Sequence, residues 1–370
     1  MSIKEIFCQD RAIGILQKAY ALDKQSHAYI FAGLDGVGKF KTAQQWAKIL
    51  LCEKPKTKKD FADSCGQCES CRLFEADSHP DFHHIYKELR EFTRDGKGKL
   101  APVDLAIDVI REFLIEKVSS KPTVSKRKIF VISEGERLNA SSQNAMLKSL
   151  EEPPEYCTII LLCTRLEKLL PTTKSRCQTI RFSPIDEDKI IEQLKAMGLA
   201  DNQTKYFGKF AQGSLGQGCK LAELELAGAK IYEAKRELIK TLARFEYADA
   251  LVIGGQFQSQ SKVIAGIWAE IEKDVSKTAI SRRAAKLIVQ IVISALYDAM
   301  RIDLIGGEKI INFDQTEQIK ILARQFDIEQ CSEKIANCYQ TMRWIESSVN
   351  EKLIFEQLLL NLGTSATMGV

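Results

Sequence analysis

The sequence predicts an α/β domain built on a parallel sheet, followed by a half that is helical throughout. Three observations carry that expectation. Up to about Pro184, short apolar runs alternate with segments of helical spacing, the pattern of strands joined by crossover helices. A glycine-rich turn, Gly33 to Lys39, sits where the first strand-like run meets a helix. Beyond Pro184, strand signals almost vanish.

Taken in order, Ala28–Phe31 reads as a buried strand and Thr42–Leu51 as a helix. Phe82–Tyr86 is a second strand, and Val103–Glu116 repeats apolar residues at three and four. Lys128–Ile132 is a strand, Ala140–Leu150 a helix and Thr158–Cys163 a fully apolar strand. Pro171–Lys174 reads as a loop after that strand, and Gln178–Phe182 closes the sheet. Fully apolar strands suit a parallel sheet covered on both faces. Phe92–Pro102 has loop chemistry. In the second half, Ile185–Gly198 and Gln203–Ala211 read as short helices, and Gly213–Gly218 as a turn opening another. After about Ala229 come amphipathic helices broken at Gly254-Gly255 and at Gly306-Gly307. Asn139 is placed to cap the helix that follows it. Glu151-Glu152, before Pro153-Pro154, reads as a solvated helix end rather than a pair of catalytic carboxylates.

The 370 residues have ordinary globular composition, which excludes a disordered or collagen-like chain. No run approaches the roughly 18 apolar residues of a membrane span. Met1-Ser-Ile-Lys-Glu5 lacks the apolar core of a signal peptide, so a cytoplasmic protein is expected. The net charge of +4 is too small to demand a nucleic-acid partner. Two basic clusters, Lys54, Lys56, Lys58 and Lys59, then Lys121, Lys126, Arg127 and Lys128, read on charge alone as solvated loops.

Gly33-Leu-Asp-Gly36-Val-Gly38-Lys39 has the spacing and context of a phosphate-binding loop. Glycines let backbone N–H groups curl around phosphates, the helix start adds its dipole, and Lys39 brings a point charge. Two cation-holding groups are missing. Phe40 stands where a Ser or Thr hydroxyl would hold Mg²⁺, and the strand Lys128–Ile132 runs into Ser133-Glu134 where Asp-Glu is needed. Glu134 remains at the water-activating position. Nucleotide binding is therefore expected to be weak or absent, and hydrolysis poor.

Of the eleven cysteines, Cys8, Cys157, Cys163, Cys177, Cys219, Cys331 and Cys338 look scattered. Cys65-Gly-Gln-Cys68-Glu-Ser-Cys71, with Cys52 upstream, has the spacing of a closed Cys₄ site. Structural zinc is the first reading; an iron–sulfur cluster or unmetallated thiols are the alternatives. His79, His83 and His84 follow the knuckle and read as structural, because four cysteines already fill a tetrahedral ion.

Order and spacing of these pieces resemble the bacterial clamp-loader subunits of the AAA+ class, over roughly Ile6 to Gly216. The likeness runs through His27-Ala-Tyr-Ile-Phe-Ala-Gly33, Leu51-Cys52 and the knuckle, and His79-Pro-Asp81. It continues with Val103-Asp104, Ile110-Arg-Glu-Phe113, Leu138-Asn139, Asn144-Ala-Met-Leu-Lys-Ser-Leu-Glu-Glu-Pro-Pro154 and Ser175-Arg176-Cys177. Phe40, Ser133 and Gly216 resemble the delta-prime sort rather than the gamma and tau motors.

The resemblance implies an AAA+ P-loop domain over residues 1–184, with a zinc-binding insertion at about 52–71. A small helical lid (185–240) and an all-α collar (241–370) would follow. It implies gamma/tau-type and delta-type partner subunits, and a sliding clamp and primed DNA reached through the complex, with no membrane contact. Arg176 would act as a finger in a neighbour's ATP site. Gly33, Gly36, Gly38, Lys39, Glu134 and Thr164 would form a weak or vestigial nucleotide site, and Cys52, Cys65, Cys68 and Cys71 the metal site. An active gamma/tau-like ATPase and a stand-alone zinc-dependent nucleic-acid-binding protein are the rival readings.

Overall fold

The computed structural model describes residues 2–58, 61–94, 104–273, 275–347 and 350–363. Lys59, Val103 and residues 95–102 of the loop expected at 92–102 lie outside the described residues. The chain forms two compact units: 1–185 with 214–216, and 186–213 with 217–370.

In the first unit, five parallel strands stand in the order β4-β5-β6-β1-β7: β1 Ala28–Ala32, β4 Phe82–Ile85, β5 Lys128–Ile132, β6 Cys157–Cys163 and β7 Gln178–Arg181. Residues of β1, β5 and β6 are buried throughout, as expected of strands covered on both faces. One apolar cluster packs Leu16, Trp46 and Phe74 against Phe31, Val131 and Ile160. The other packs Leu105, Leu114, Met146 and Leu150 against Ile30, Phe130 and Ile159. Register puts Ala32 beside Cys163 and Ile132 beside Leu161. The chain therefore leaves β1, β5 and β6 at the same end of the sheet, at Gly33, Ser133 and Thr164. Open α/β sheets bind ligands at this carboxyl end of their strands.

Most expected elements are present with shifted ends. The first crossover helix begins at Lys39 rather than Thr42. The helix expected from Val103 starts at Ile107 and includes a wider turn at Arg111–Ile115. The Asn139 side chain does cap the helix Ala140–Glu151, accepting from the Ser142 amide at 2.8 Å. Three expectations are corrected. Pro171–Lys174 is helical, not loop, within Pro171–Ser175; proline at the first helical position has its φ preset and its missing N–H costs nothing. The lysine-rich segment is not all loop: β2 Lys56–Lys58 pairs antiparallel with β3 Phe61–Asp63, with β2 exposed. Gly254-Gly255 break nothing and lie inside the helix Ala250–Ile271. A Cβ on Gly254 would come within 3.2 Å of the Glu356 amide nitrogen, so this glycine permits two helices to approach closely.

In the second unit every element among the described residues is helical. The 29-residue helix Lys277–Ile305 packs against Ala250–Ile271, Thr316–Gln325 and Ile328–Glu346. It ends where Gly306 takes φ 81°, as the glycine pair predicts. Lys235 is fully buried there, paired with Asp314 between the Tyr206 and Tyr232 rings. Burial pushes its ammonium down to about 8 against the pull of Asp314. No helix among the described residues is long and apolar enough to cross a membrane.

Candidate functional site

β1 delivers the chain into Gly33, and the loop closes at Gly38, which has φ 97° and precedes the helix Lys39–Leu51. The Lys39 ammonium turns back on the loop. It donates to the Gly33 carbonyl at 2.8 Å and to the Leu34 carbonyl at 2.5 Å. Burial lowers its pKa, opposed by the charges of Asp35 and Glu136. Gly36 has φ 72°, a conformation that costs glycine little. The Gly216 amide donates to the Gly36 carbonyl at 2.8 Å. A Cβ on Gly36 would lie 2.3 Å from the Ser214 hydroxyl oxygen, so residues 214–216 lie directly on the loop.

Both positions that lack a cation ligand are occupied by other contacts. The Phe40 ring lies on His84, centroids 4.6 Å apart. His84 Nε2 and Ser133 Oγ share a hydrogen bond of 2.8 Å. Burial pushes His84 down to about 4, so the ring is neutral near pH 7. Glu134 is an awkward water activator: it sits at φ 53°, and its carboxylate pairs with Lys87 at 3.1 Å and Arg137 at 2.8 Å.

Glu136 is a site residue that the sequence reading missed. Its carboxylate accepts the Thr164 hydroxyl at 2.5 Å and the Thr164 amide at 3.0 Å. Burial works against its charge, but these bonds and Lys39 outweigh burial and hold the carboxyl below its ordinary value. The only available signal was an extra acid after Glu134, which alone says nothing about where it points.

Arg176 does not join this group. Its backbone ends the helix Pro171–Ser175. The guanidinium donates to the Thr172 carbonyl at 2.8 Å and pairs with Glu151. Glu151 is therefore not simply a solvated helix end.

The Sγ atoms of Cys52, Cys65, Cys68 and Cys71 lie within 4.8 Å of one another. Cys52–Cys68 and Cys65–Cys71 are each 3.9 Å apart. A tetrahedral ion with bonds of about 2.3 Å sets its sulfurs about 3.8 Å apart, so the thiols fit one. Backbone amides of Gln67 and Cys68 point at the Cys65 sulfur at 3.4 and 3.3 Å. The Gln67 amide is the largest influence lowering that thiol to about 6, with burial opposing it. Burial raises Cys52 and Cys71; a bound cation would reverse that penalty.

Beside the knuckle, His79 Nε2 meets Ser70 Oγ at 2.9 Å and Ser125 Oγ at 3.2 Å. Its Nδ1 accepts the Asp81 amide at 3.1 Å. The Asp81 carboxylate accepts the amides of Thr123, Val124 and Ser125. Ser, His and Asp together suggest a nucleophilic triad, but the bonding excludes one. With Nδ1 accepting, the proton sits on Nε2, which cannot take a serine proton. The network ties the cysteine knuckle to the sheet.

A family model described as DNA polymerase III, delta subunit, matches residues 8–186. A second, described as DNA polymerase III, delta subunit, C terminal, matches residues 274–364. The DNA polymerase III subunit delta' of Bacillus subtilis is 26% identical over 360 residues, covering 96% of each chain. The tau/gamma subunit of Haemophilus influenzae is 31% identical over 229 residues, covering 60% of this chain and 30% of that one. Among solved structures, a gamma subunit-related protein from Thermotoga maritima aligns with 14% identity and a TM-score of 0.40, covering 94% of this chain and 98% of that one.

Proposed function

The chain belongs to the delta-prime-type clamp-loader subunits of bacterial DNA polymerase III, and on that premise we propose that it is a stator rather than a motor of the clamp loader. It assembles in the cytoplasm with gamma/tau-type and delta-type subunits, and the complex places a sliding clamp on primed DNA. Contacts to DNA are mainly to phosphates and weaken with salt. The helical half divides near residue 240 into a lid and a collar, and the collar packs against neighbouring subunits.

One observation carries the stator reading: the phosphate loop is satisfied from within. Lys39 is spent on the carbonyls of Gly33 and Leu34, and Gly216 is bonded to Gly36. Phe40, His84 and Ser133 bind one another where a cation would need oxygen ligands. Phosphoryl transfer depends on metal and positioning, and these contacts supply neither. Gly33, Gly36, Gly38, Lys39, Glu134 and Thr164 form a vestigial site in this reading.

The chain's contribution to catalysis is Arg176, offered to a neighbour's ATP. A guanidinium presents a flat fork of donors to phosphate oxygens and stabilises the charge of the transition state. The four cysteines hold structural zinc; all four positions are protein thiolates, so no coordination site is open for chemistry. When bound, zinc clips the insertion at 52–71 into place.

The test is reconstitution with the partner subunits, comparing wild type with Arg176→Ala. The variant should assemble normally and lower DNA-stimulated ATP turnover several-fold. Unchanged turnover would remove the finger. An isolated chain that hydrolyses ATP would favour a gamma/tau-like motor. Tight DNA binding by the isolated chain, lost on chelation, would favour a zinc-dependent nucleic-acid-binding protein.

A further inference from the structure

We propose that Glu151 is a positioning residue that parks the Arg176 guanidinium on its own subunit until a neighbour's phosphates compete for it. The inference rests on the finger reading above and adds a partner to it. Glu151 is the last residue of the helix Ala140–Glu151, and Pro153-Pro154 follow after Glu152. A carboxylate at that end faces the negative pole of the helix, so it needs a cation. Arg176 supplies it through one terminal nitrogen, while the other donates to the Thr172 carbonyl at 2.8 Å. Two of the nitrogens that would form the fork toward phosphate are thus committed within this chain.

The pair is accessible to competition. Side-chain exposure is 31% for Arg176 and 45% for Glu151, so solvent screens the contact and it is weak. A doubly charged phosphate group outbids a single half-exposed carboxylate, and Arg176 can then leave without disturbing the core. Without Glu151, the guanidinium is held only by the Thr172 carbonyl and is more often free.

The experiment uses the reconstituted clamp loader with four versions of this chain: wild type, Glu151→Gln, Arg176→Ala and the double variant. ATP turnover is measured without DNA. Glu151→Gln should raise it about two- to fivefold, the factor that a half-exposed ion pair converts to. The rise should appear in kcat, leave KM unchanged, and be absent from the double variant. Glu151→Asp, which keeps the charge, should return turnover toward wild type. No rise with Glu151→Gln, or an equal rise when Arg176 is already alanine, overturns the parking role. If Arg176→Ala alone changes turnover neither with nor without DNA, the finger itself is wrong and the latch falls with it. An active finger with an inert Glu151→Gln sinks only the latch.

Discussion

The ring of Phe40 rests on the imidazole of His84, with centroids 4.6 Å apart, at the first turn of the helix that leaves the phosphate loop. His84 in turn bonds Ser133. An aromatic and hydrogen-bonded chain thus spans the two positions where a nucleotide site needs cation ligands. Phe40→Ala should destabilise the protein by about 1–2 kcal/mol, the scale for losing a partly buried ring and its aromatic contact. Urea denaturation measures this. Magnesium-ATP affinity should not improve, because removing the ring supplies no oxygen ligand.

The same neighbourhood makes the fold sensitive to mild acid. Burial pushes His83 down to about 4, helped by the charges of Lys117 and Lys128, and burial alone pushes His84 to about 4. Both start from an ordinary 6.5. The unfolded chain therefore binds more protons between these limits, and stability falls as pH drops from about 6.5 to about 4. Above that window the histidine contribution is fully present. Denaturation midpoints measured across the window should decline, and His84→Gln should flatten the decline.

Metal removal tests the cysteine knuckle. The purified chain should carry stoichiometric zinc. Chelation, or Cys52→Ser, should release it and lower the thermal midpoint, since metal binding at such sites is coupled to folding. Hydrogen exchange should accelerate around residues 52–79 and leave the helix Lys277–Ile305 protected. Metal-free protein with unchanged stability would contradict a structural ion.

His79 predicts a related effect without touching a ligand. His79→Ala leaves the buried Asp81 amide without its acceptor and strips one partner each from Ser70 and Ser125. The expected loss is about 1–3 kcal/mol, read from urea denaturation. Metal release should quicken, because Ser70 lies in the same helix as Cys71 and that helix loses one of its ties, keeping the bonds of Ser70 to the Leu51 carbonyl and to Ser125.

The sheet was legible because β1, β5 and β6 are short runs of almost uniformly apolar residues, and such runs have few other homes. The cysteine site was legible because metal spacing is local. Strand order was not, since no local pattern states which strands pair. Glu136 and Glu151 escaped for the same reason: one acts through Thr164 and Lys39, the other through Arg176, and each partner is distant in sequence. Gly254-Gly255 misled because glycine usually interrupts helices, whereas Gly254 is placed for contact with Glu356. The proline at 171 was read as loop chemistry, though proline also starts helices.

In the stator reading, this chain's own phosphate loop is closed on itself and lacks a cation grip. Calorimetric titration of the isolated chain with ATP and Mg²⁺ tests it most directly. Binding weaker than about millimolar, with no turnover, is the predicted result. Micromolar affinity that depends on magnesium, or hydrolysis by the chain alone, would contradict it.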